Sequence, residues 1–451
     1  MTGRSSRSSK AEDLKRGVFE PRSVAVIGAS SHREKVGYAV LANIIKSGYA
    51  GEIYPVNPGA KRIQQLKCHP DVLSIKGPVD LAVIVVPAAA VPGVVARCVE
   101  KGIHYGVVIS AGFREVGVEG RKLEWEAVRL ARKGGMRLVG PNCLGVINTS
   151  LPLNASFSRR VPPRGSIGVV SQSGAVCTSL IDWALSEQVG FSKLVSLGNN
   201  ADLSESDFID ALARDEETTV ISMYLEGVKE GGRFFRSLSR AGLKKPVVFL
   251  KAGTTSSGAR AASSHTGALA GSDSAYSSVC KQARAIRAGS IEELVMLTRA
   301  FATEPVPAGP RVAVVTNAGG PGIVASDACE RFGLVLARIS GESREKLKES
   351  LPGAASLHNP IDLLGDADAG RYGLAVECML SDAAVDAVVV LLTPQAMTDI
   401  EGTANQIIRV GGEHHKTLIC SFMGAASVHR AVRSLQEAGI PLYISPDEAA
   451  W

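Results

Sequence analysis

Short apolar runs, each followed by a turn and an amphipathic segment, recur along the chain. In the first third they lie at residues 22–28 (RSVAVIG), 53–57 (IYPVN), 79–86 (VDLAVIVV) and 106–110 (GVVIS). Continuous apolar runs predict strands buried on both faces, as in parallel sheets. Segments with a 3.6-residue period, such as KLEWEAVRLARK, lie between them and predict helices. This alternation predicts an open, Rossmann-like sheet over residues 15–140.

The same alternation continues to the end of the chain. Further apolar runs lie at residues 167–170, 193–197, 220–225, 247–250, 386–392 and 417–422. The proline-rich segment 304–310 (EPVPAGP) separates the first four of these from the last two and predicts a linker. The predicted fold class is therefore α/β: a Rossmann-like domain followed by two flavodoxin-like parallel-sheet domains, at residues 141–303 and 311–451.

Composition narrows the protein class. Of the 451 residues, 45% are hydrophobic, 5% are aromatic and 47 are glycine, which is typical of Val/Ile/Ala-rich parallel sheets with tight turns. The net charge of +6 is spread along the chain and does not favour nucleic acid. Eight single cysteines without a CxxC motif predict buried, reduced thiols of a cytoplasmic protein, and no metal site. No apolar run is long enough to predict a membrane span. Residues 1–14 predict a disordered tail, with a transit peptide as the alternative, although the segment is short for one.

The turn after the first predicted strand departs from the dinucleotide fingerprint. After Gly28 the next glycine is Gly37, so GxGxxG is absent, and the second strand ends in Asn57 rather than an acid. An NAD(P)-dependent oxidoreductase is therefore disfavoured. A longer loop with Ser30 and Lys35 before a helix still suits a phosphate-rich ligand, although Lys35 taken alone fits a solvated loop lysine equally well.

Residues 251–276 (KAGTTSSGARAASSHTGALAGSDSAY) follow a predicted strand and contain almost only small residues around His265. Small residues let backbone N–H groups approach an anion, and a neutral imidazole can attack phosphorus. A flexible loop with an incidental histidine is the alternative. Glu226 ends a buried strand at the same predicted rim, where it could orient the imidazole or cap a helix. The turn SQSG at residues 171–174 predicts a helix N-cap and an anion site.

Seven motifs, in this order, resemble the α subunit of ADP-forming acyl-CoA synthetases and, more distantly, the succinyl-CoA synthetase α subunit. They are SVAVIGAS with KVGYAVLANI, IYPVNP, GPNCLG, SQSGAV, YLEG, SSHTGALAGSD and TNAGGPG. The resemblance covers about residues 15–448. It implies that the first domain binds coenzyme A, that His265 becomes phosphorylated and that Glu226 stabilises the phosphohistidine.

The resemblance also implies roles for other residues at the predicted strand ends. The coenzyme A phosphates would meet Gly28, Ser30, Lys35 and Gly37, with Asn57 and Pro58 near the nucleotide and Val86, Pro87, Ser110, Ala111, Gly112 and Phe113 beside the pantetheine arm. Near the thioester would lie Asn142 and Cys143. Phosphate would be held by Ser171, Gln172, Ser173 and Gly174.

The implied reaction is acyl-CoA + phosphate + ADP ⇌ acid + CoA + ATP, through an acyl phosphate and a phosphohistidine at His265. The sequence contains neither a P-loop GxxxxGK[ST] nor a stretch that resembles an ATP-grasp domain. The resemblance therefore implies a separate ATP-grasp β subunit that holds Mg²⁺ and ADP, in an αβ heterotetramer. A regulatory protein that binds CoA or acyl-CoA on the same scaffold, without net catalysis, is the alternative from another functional class.

Overall fold

The computed structural model of the protein describes residues 10–260 and 273–451. Two compact units divide the chain, Met1–Thr298 and Arg299–Trp451. Residues 10–14 are helical and continue into a π-helical turn, Lys15–Phe19. Ala11 and Leu14 are buried, and Leu14 packs in the core of the first unit. The expected disordered tail is therefore wrong for residues 10–14, because they form a helix whose Leu14 side chain packs in the core of this unit.

The first unit begins with a five-stranded parallel sheet of order β2-β1-β5-β6-β7, beside a short hairpin, β3-β4. The strands are Ser23–Ile27 (β1), Glu52–Val56 (β2), Arg62–Ile63 (β3), Leu66–Lys67 (β4), Leu81–Ile84 (β5), Tyr105–Val108 (β6) and Arg137–Val139 (β7). The helices are Val36–Lys46 (α1), Val91–Glu100 (α2) and Val118–Lys133 (α3). Strand order reverses between β1 and β5, and open α/β sheets bind ligands at such switch points.

A second sheet completes this unit, with order β14-β13-β12-β10-β11-β8-β9. Its strands are Gly145–Asn148 (β8), Leu153–Ser156 (β9), Arg164–Ser171 (β10), Phe191–Ser196 (β11), Val220–Leu225 (β12), Val247–Lys251 (β13) and Ile286–Ala288 (β14). The helices after them are Gly174–Ser186 (α4), Glu205–Leu212 (α5), Gly231–Gly242 (α6), Asp273–Ala283 (α7) and Ile291–Thr303 (α8), which ends in the second unit. β10 to β14 run parallel, whereas the β8–β9 hairpin joins β11 antiparallel.

The second unit contains a parallel sheet of order β16-β15-β18-β19-β20, with β17 paired to β15. Its strands are Arg311–Thr316 (β15), Val335–Leu336 (β16), Ile361–Asp362 (β17), Ala387–Leu392 (β18), Thr417–Phe422 (β19) and Leu442–Tyr443 (β20). Its helices are Gly319–Arg331 (α9), Gly341–Ser350 (α10), Ala369–Ser381 (α11), Ile400–Glu413 (α12), His429–Glu437 (α13) and Pro446–Ala450 (α14). The expected class, a Rossmann-like sheet followed by two flavodoxin-like sheets, is confirmed.

The proline-rich segment 304–310 begins as part of the second unit. The Glu304 carboxylate accepts a hydrogen bond from the Leu418 N–H at 2.9 Å, and the Thr417 hydroxyl donates to the Pro305 carbonyl at 2.7 Å. Burial raises the pKa of Glu304 to about 7. The expected linker is therefore wrong for residues 304 and 305, which are bonded to β19. The domain boundaries at residues 140 and 303 remain predictions.

All eight cysteines are buried and free. Burial raises the pKa of Cys98, Cys143 and Cys177 to about 12. The thiols are therefore neutral packing groups, as the scattered sequence positions predict. Among the described helices, none combines the length and the apolar character that crossing a bilayer requires.

Candidate functional site

The turn after β1 lies at the switch point of the first sheet. Gly28 has φ +92°, a conformation that glycine adopts without steric cost. The Asn57 side chain fastens the turn from the end of β2, because its Nδ2 donates to the Ala29 carbonyl at 2.8 Å. Ser30 is buried in this turn, while Lys35 is exposed just before α1. The backbone of the predicted phosphate loop is thus held by hydrogen bonding, and the long Lys35 side chain lies on its solvent side.

Gly37 lets α1 approach this turn closely. A Cβ atom on Gly37 would overlap the Gly28 carbonyl oxygen, and one on Gly28 would overlap the Val85 carbonyl oxygen. The two glycines therefore allow backbone to pack on backbone where β1, β5 and α1 meet. The free N–H groups at the start of α1 come to lie beside the turn, which suits an anionic ligand.

We expect Gly37→Ala to lower the free energy of unfolding by about 2–3 kcal/mol, because the methyl group has no space against the Gly28 carbonyl. Gly93→Ala is the matched control: Gly93 also lies in the first turn of a helix, α2, but a Cβ there meets nothing within 4 Å. That variant should gain about 0.5–1 kcal/mol. Urea denaturation of both variants measures the difference, and equal shifts would refute the packing argument.

Ser110 joins the carboxyl ends of β5 and β6. Its hydroxyl donates to the Val86 carbonyl at 2.6 Å and accepts from the Val86 N–H at 3.1 Å. Its carbonyl accepts from the Asn142 N–H at 2.9 Å, which fixes the segment that leads to the second sheet. Ser110 and Val86 therefore form a rigid rim, with Ala111 beside them and Pro87 at the start of the next turn.

Phe113 and Gly112 differ from the expected ligand contacts. The Phe113 ring is fully buried in the core of the first sheet, so only the backbone of Phe113 is left to flank the pantetheine arm. The N–H groups of Gly112 and Phe113 both donate to the Glu115 carboxylate, at 2.6 and 3.0 Å. Asn199 also donates to Glu115, at 2.6 Å. Burial opposes the charge of Glu115, yet these hydrogen bonds hold its pKa below the ordinary value.

Sequence reasoning missed Glu115 and Asn199. A carboxylate three residues after Gly112, whose φ is +104°, is the local signal that could have indicated a closed turn. Asn199 follows β11 and reaches Glu115 from the other sheet. These two residues close the rim between the first and second sheets.

Asn142 and Cys143 occupy this junction. The peptide bond between Gly140 and Pro141 is cis, and Asn142 has φ +56°. The Asn142 amide donates to Asn199 Oδ1 at 3.3 Å. The Cys143 thiol donates to the Val108 carbonyl at 3.3 Å, and burial raises its pKa to about 12. Cys143 is therefore a neutral wall residue, not a thiolate nucleophile.

The turn at residues 171–174 has the predicted form of a helix start. The Ser173 hydroxyl accepts from the Val176 N–H at 3.3 Å and caps α4. The Ser171 hydroxyl accepts from the Ser173 N–H at 3.1 Å. The first turn of α4 presents N–H groups that have no partner within the helix. It also carries the positive end of the dipole of this 13-residue helix. The expected N-cap is confirmed; phosphate binding there stays a prediction.

Gln172 braces Glu226. Its Oε1 accepts from the N–H groups of Glu226 and Gly227, at 2.6 and 2.9 Å, and its Nε2 donates to the Gly227 carbonyl at 2.7 Å. Three of the four hydrogen bonds that an amide can make are thus used within the protein. Gln172 is chiefly a positioning residue for Glu226, with one N–H left for a ligand.

One cavity of about 610 Å³ brings together groups from both sheets. The predicted residues that line it are Val86, Ser110, Ala111, Asn142, Cys143, Gln172, Ser173, Gly174 and Glu226. The predicted residues outside its lining are Gly28, Ser30, Lys35, Gly37, Asn57, Pro58, Pro87, Gly112, Phe113 and Ser171. Val36, next to Gly37 at the start of α1, connects the cavity to the first turn. The cavity therefore joins the strand ends of both sheets.

His265 lies in residues 261–272, outside the described residues, but the two ends of its segment are described. Lys251 pairs with Leu225 across β13 and β12, so the chain leaves the sheet beside Glu226. The Lys251 ammonium lies 5.2 Å from the centroid of the Tyr276 ring, where the segment returns. The described ends of this segment thus lie near the end of β12, which Glu226 follows, and the position of His265 itself stays a prediction.

A larger cavity, of about 960 Å³, lies at the amino ends of the strands of the first sheet. Arg22, Asp80 and His104, which precede β1, β5 and β6, line it. Ligands of open parallel sheets bind at the carboxyl ends instead, and the glycine turns and helix starts lie at that end. Among residues 10–260 and 273–451, no group of three or more histidine, cysteine, aspartate or glutamate side chains could hold a metal ion.

Three family models match consecutive parts of the chain. A CoA binding domain model matches residues 22–149, a succinyl-CoA ligase like flavodoxin domain model matches residues 164–301, and a ligase-CoA domain model matches residues 312–450. The α subunit of ADP-forming acetate–CoA ligase II from Pyrococcus furiosus is 41% identical over 437 residues, which cover 96% of this chain and 95% of that protein. The chain belongs to the ADP-forming acetate–CoA ligase family.

Members of the ADP-forming acetate–CoA ligase family differ in chain length. ADP-forming acetate–CoA ligase I from Archaeoglobus fulgidus is 45% identical over 432 residues, and the chain spans only 62% of its length. The structure of a Candidatus Korarchaeum cryptofilum acetyl-coenzyme A synthetase 1, in complex with phosphate and ADP, matches with a TM-score of 0.93 and 38% identity, over 97% of this chain and 94% of that one. The family resemblance seen in the seven sequence motifs is thereby confirmed.

Proposed function

We propose that this chain is the α subunit of an acid–thiol ligase that interconverts acyl-CoA, phosphate and ADP with acid, CoA and ATP. The observation that carries the proposal is the cavity in which Ser110, Ser173 and Glu226 meet. The Ser110 rim, the start of α4 and the Glu226 carboxylate lie in one enclosure, which supports a site for a CoA arm and phosphate together. The ligase names of the relatives favour this function over the regulatory alternative.

The first chemical step needs phosphate beside the thioester. A phosphate oxygen attacks the thioester carbonyl carbon, the C–S bond breaks, and CoA leaves as a thiolate that takes up a proton. The N–H groups at the start of α4, next to Ser173, offset the charge of phosphate and of the oxyanion. Cys143 takes no covalent part, because its buried thiol stays protonated.

In the second step a ring nitrogen of His265 attacks the phosphorus of the acyl phosphate, and the P–O bond to the acyl group breaks. The carboxylate leaves, and the imidazole carries the phosphoryl group. Glu226 accepts a hydrogen bond from the second ring nitrogen and stabilises the cationic phosphoimidazole. The nearness of the segment's two ends to Glu226 supports this assignment.

The remaining assignments extend the same proposal. Coenzyme A phosphates bind at Gly28, Ser30, Lys35 and Gly37, with Asn57 and Pro58 near the nucleotide. An ATP-grasp β subunit would hold ADP together with Mg²⁺, and a terminal phosphate oxygen of that ADP would accept the phosphoryl group from His265, in a cytoplasmic αβ heterotetramer. Relatives named α subunits support a separate partner, and a structural neighbour with bound ADP supports nucleotide use.

Ligand-dependent stability tests the first domain. Coenzyme A at 100 times its Kd should stabilise the purified chain by about 2.7 kcal/mol, raising its melting temperature, whereas NAD at the same concentration should have no effect. With an ATP-grasp subunit added, steady-state ADP formation beyond the one equivalent released when His265 is phosphorylated should require acid, CoA and Mg²⁺ together. A shift with NAD and none with CoA would contradict the proposal.

A further inference from the structure

Phe157 is a partly exposed aromatic residue at the cavity wall. Its side chain is 39% exposed, and it follows β9 directly. Its N–H donates to the Leu144 carbonyl at 3.3 Å. A large apolar side chain that stays accessible inside a ligand cavity marks a contact surface.

Asn43 holds Phe157 in place. The Asn43 Nδ2 donates to the Ser156 carbonyl at 2.8 Å and to the Ser158 carbonyl at 2.7 Å, the residues on either side of Phe157. Asn43 lies two helical turns after Val36 on α1, so the two share one face of the helix. This face therefore presents Val36 to the cavity and clamps the backbone of Phe157 beside it.

Three parts of the reactants must share the cavity if the proposed function holds. The strand ends at Val86 and Ser110 suit the CoA arm, and the helix start at Ser173 with Glu226 suits phosphate. Of the lining that remains, Asn142 and Asn199 are polar. An apolar or small part is formed by Val36, Leu144, Phe157, Ala175 and Thr178, and this part suits an acyl group that extends from the thioester.

The charge of the lining restricts the acyl group further. None of the described lining residues is lysine, arginine or histidine, and the charged residue among them is Glu226. A second carboxylate on the substrate would find no cationic side chain among these described residues and would meet the like charge of Glu226. Its desolvation would be uncompensated.

From these observations we infer that Phe157, positioned by Asn43, is the specificity-determining wall that limits the length of the acyl group, in a cavity whose described lining has no cationic side chain. This inference rests on the proposed function. One methylene in an apolar pocket changes kcat/KM by about 10- to 200-fold, so an aromatic wall can separate two-carbon from six-carbon acids.

The test measures kcat/KM for acetate, hexanoate and succinate with the chain assembled with an ATP-grasp subunit. Phe157→Ala should raise the hexanoate-to-acetate ratio at least about tenfold, and Phe157→Leu should raise it less. Asn43→Ala should change the ratio in the same direction as Phe157→Ala, because the wall loses its support. Phe332→Ala is the matched control: Phe332 is 41% exposed but lies in the second unit, at the end of α9, and the ratio should not change.

Three other outcomes would contradict, in turn, the role of Phe157, the charge of the site and the proposed function. An active wild type whose ratio stays constant in Phe157→Ala and Phe157→Leu would refute the wall and leave the proposed function intact. Succinate turnover comparable to acetate turnover would refute the uncharged site. A wild type inactive with every acid would refute the proposed function, and the inference with it. Binding of acetyl-CoA and hexanoyl-CoA to the chain gives a second measure: Phe157→Ala should improve affinity for hexanoyl-CoA selectively.

Discussion

Replacing His265 by alanine is expected to lower net acyl-CoA formation by about 10³-fold or more, because the covalent route for the phosphoryl group is lost. The assembled wild type should take up acid-labile, base-stable phosphate from γ-labelled ATP, and His265→Ala should take up none. Coenzyme A should stabilise both proteins equally, since the first sheet is untouched. Labelling and steady-state turnover, measured on the same preparations, test this prediction.

His415→Ala provides the control. His415 is exposed in the second unit, between α12 and β19, and its loss should change neither label nor turnover. Undiminished labelling of the His265→Ala protein would place the phosphoryl acceptor elsewhere. The shuttle between thioester and nucleotide would then need another residue.

Glu226→Gln should slow phosphohistidine formation by about 10²-fold and leave CoA affinity unchanged. The substitution keeps the shape of the side chain and removes its charge, so the backbone that Gln172 braces should persist. What is lost is the attraction between the carboxylate and a cationic phosphoimidazole. Rapid-quench measurement of label at His265 gives the rate directly.

Glu230→Gln is the matched comparison, because Glu230 is exposed four residues further along, at the start of α6. It should form phosphohistidine at the wild-type rate. If Glu226→Gln also does so, Glu226 has only a structural role at the end of β12. A loss of CoA affinity in Glu226→Gln would likewise point to disturbed folding of the cavity.

The strands were predictable because their burial leaves a continuous apolar run. β12 and β19 have the predicted bounds, and β1 and β10 differ at their ends by at most three residues. The β8–β9 hairpin was missed, since β9 (LNAS) has one large apolar residue and pairs with β8 on one side. Its buried Asn154 and Ser156 bond to each other at 2.6 Å, which no hydrophobic pattern reveals.

At the site, sequence predicted which strand ends converge but not what each side chain does there. Ser171, Gln172 and Ser173 were grouped as phosphate ligands, whereas the Gln172 side chain mainly holds Glu226. Phe113 was placed beside the ligand but is fully buried. Asn43, Glu115 and Asn199 act across long sequence separations, so their partners emerge only when the two sheets are assembled.

The burial of every cysteine has a practical consequence for enzymology. A chromogenic disulfide reagent reacts with thiolates, and the neutral, enclosed thiols of the folded chain offer it none. Coenzyme A liberated during the proposed turnover can therefore be followed continuously by colour, without a background from this chain. A slow rise in that colour without substrate would itself report unfolding of the chain.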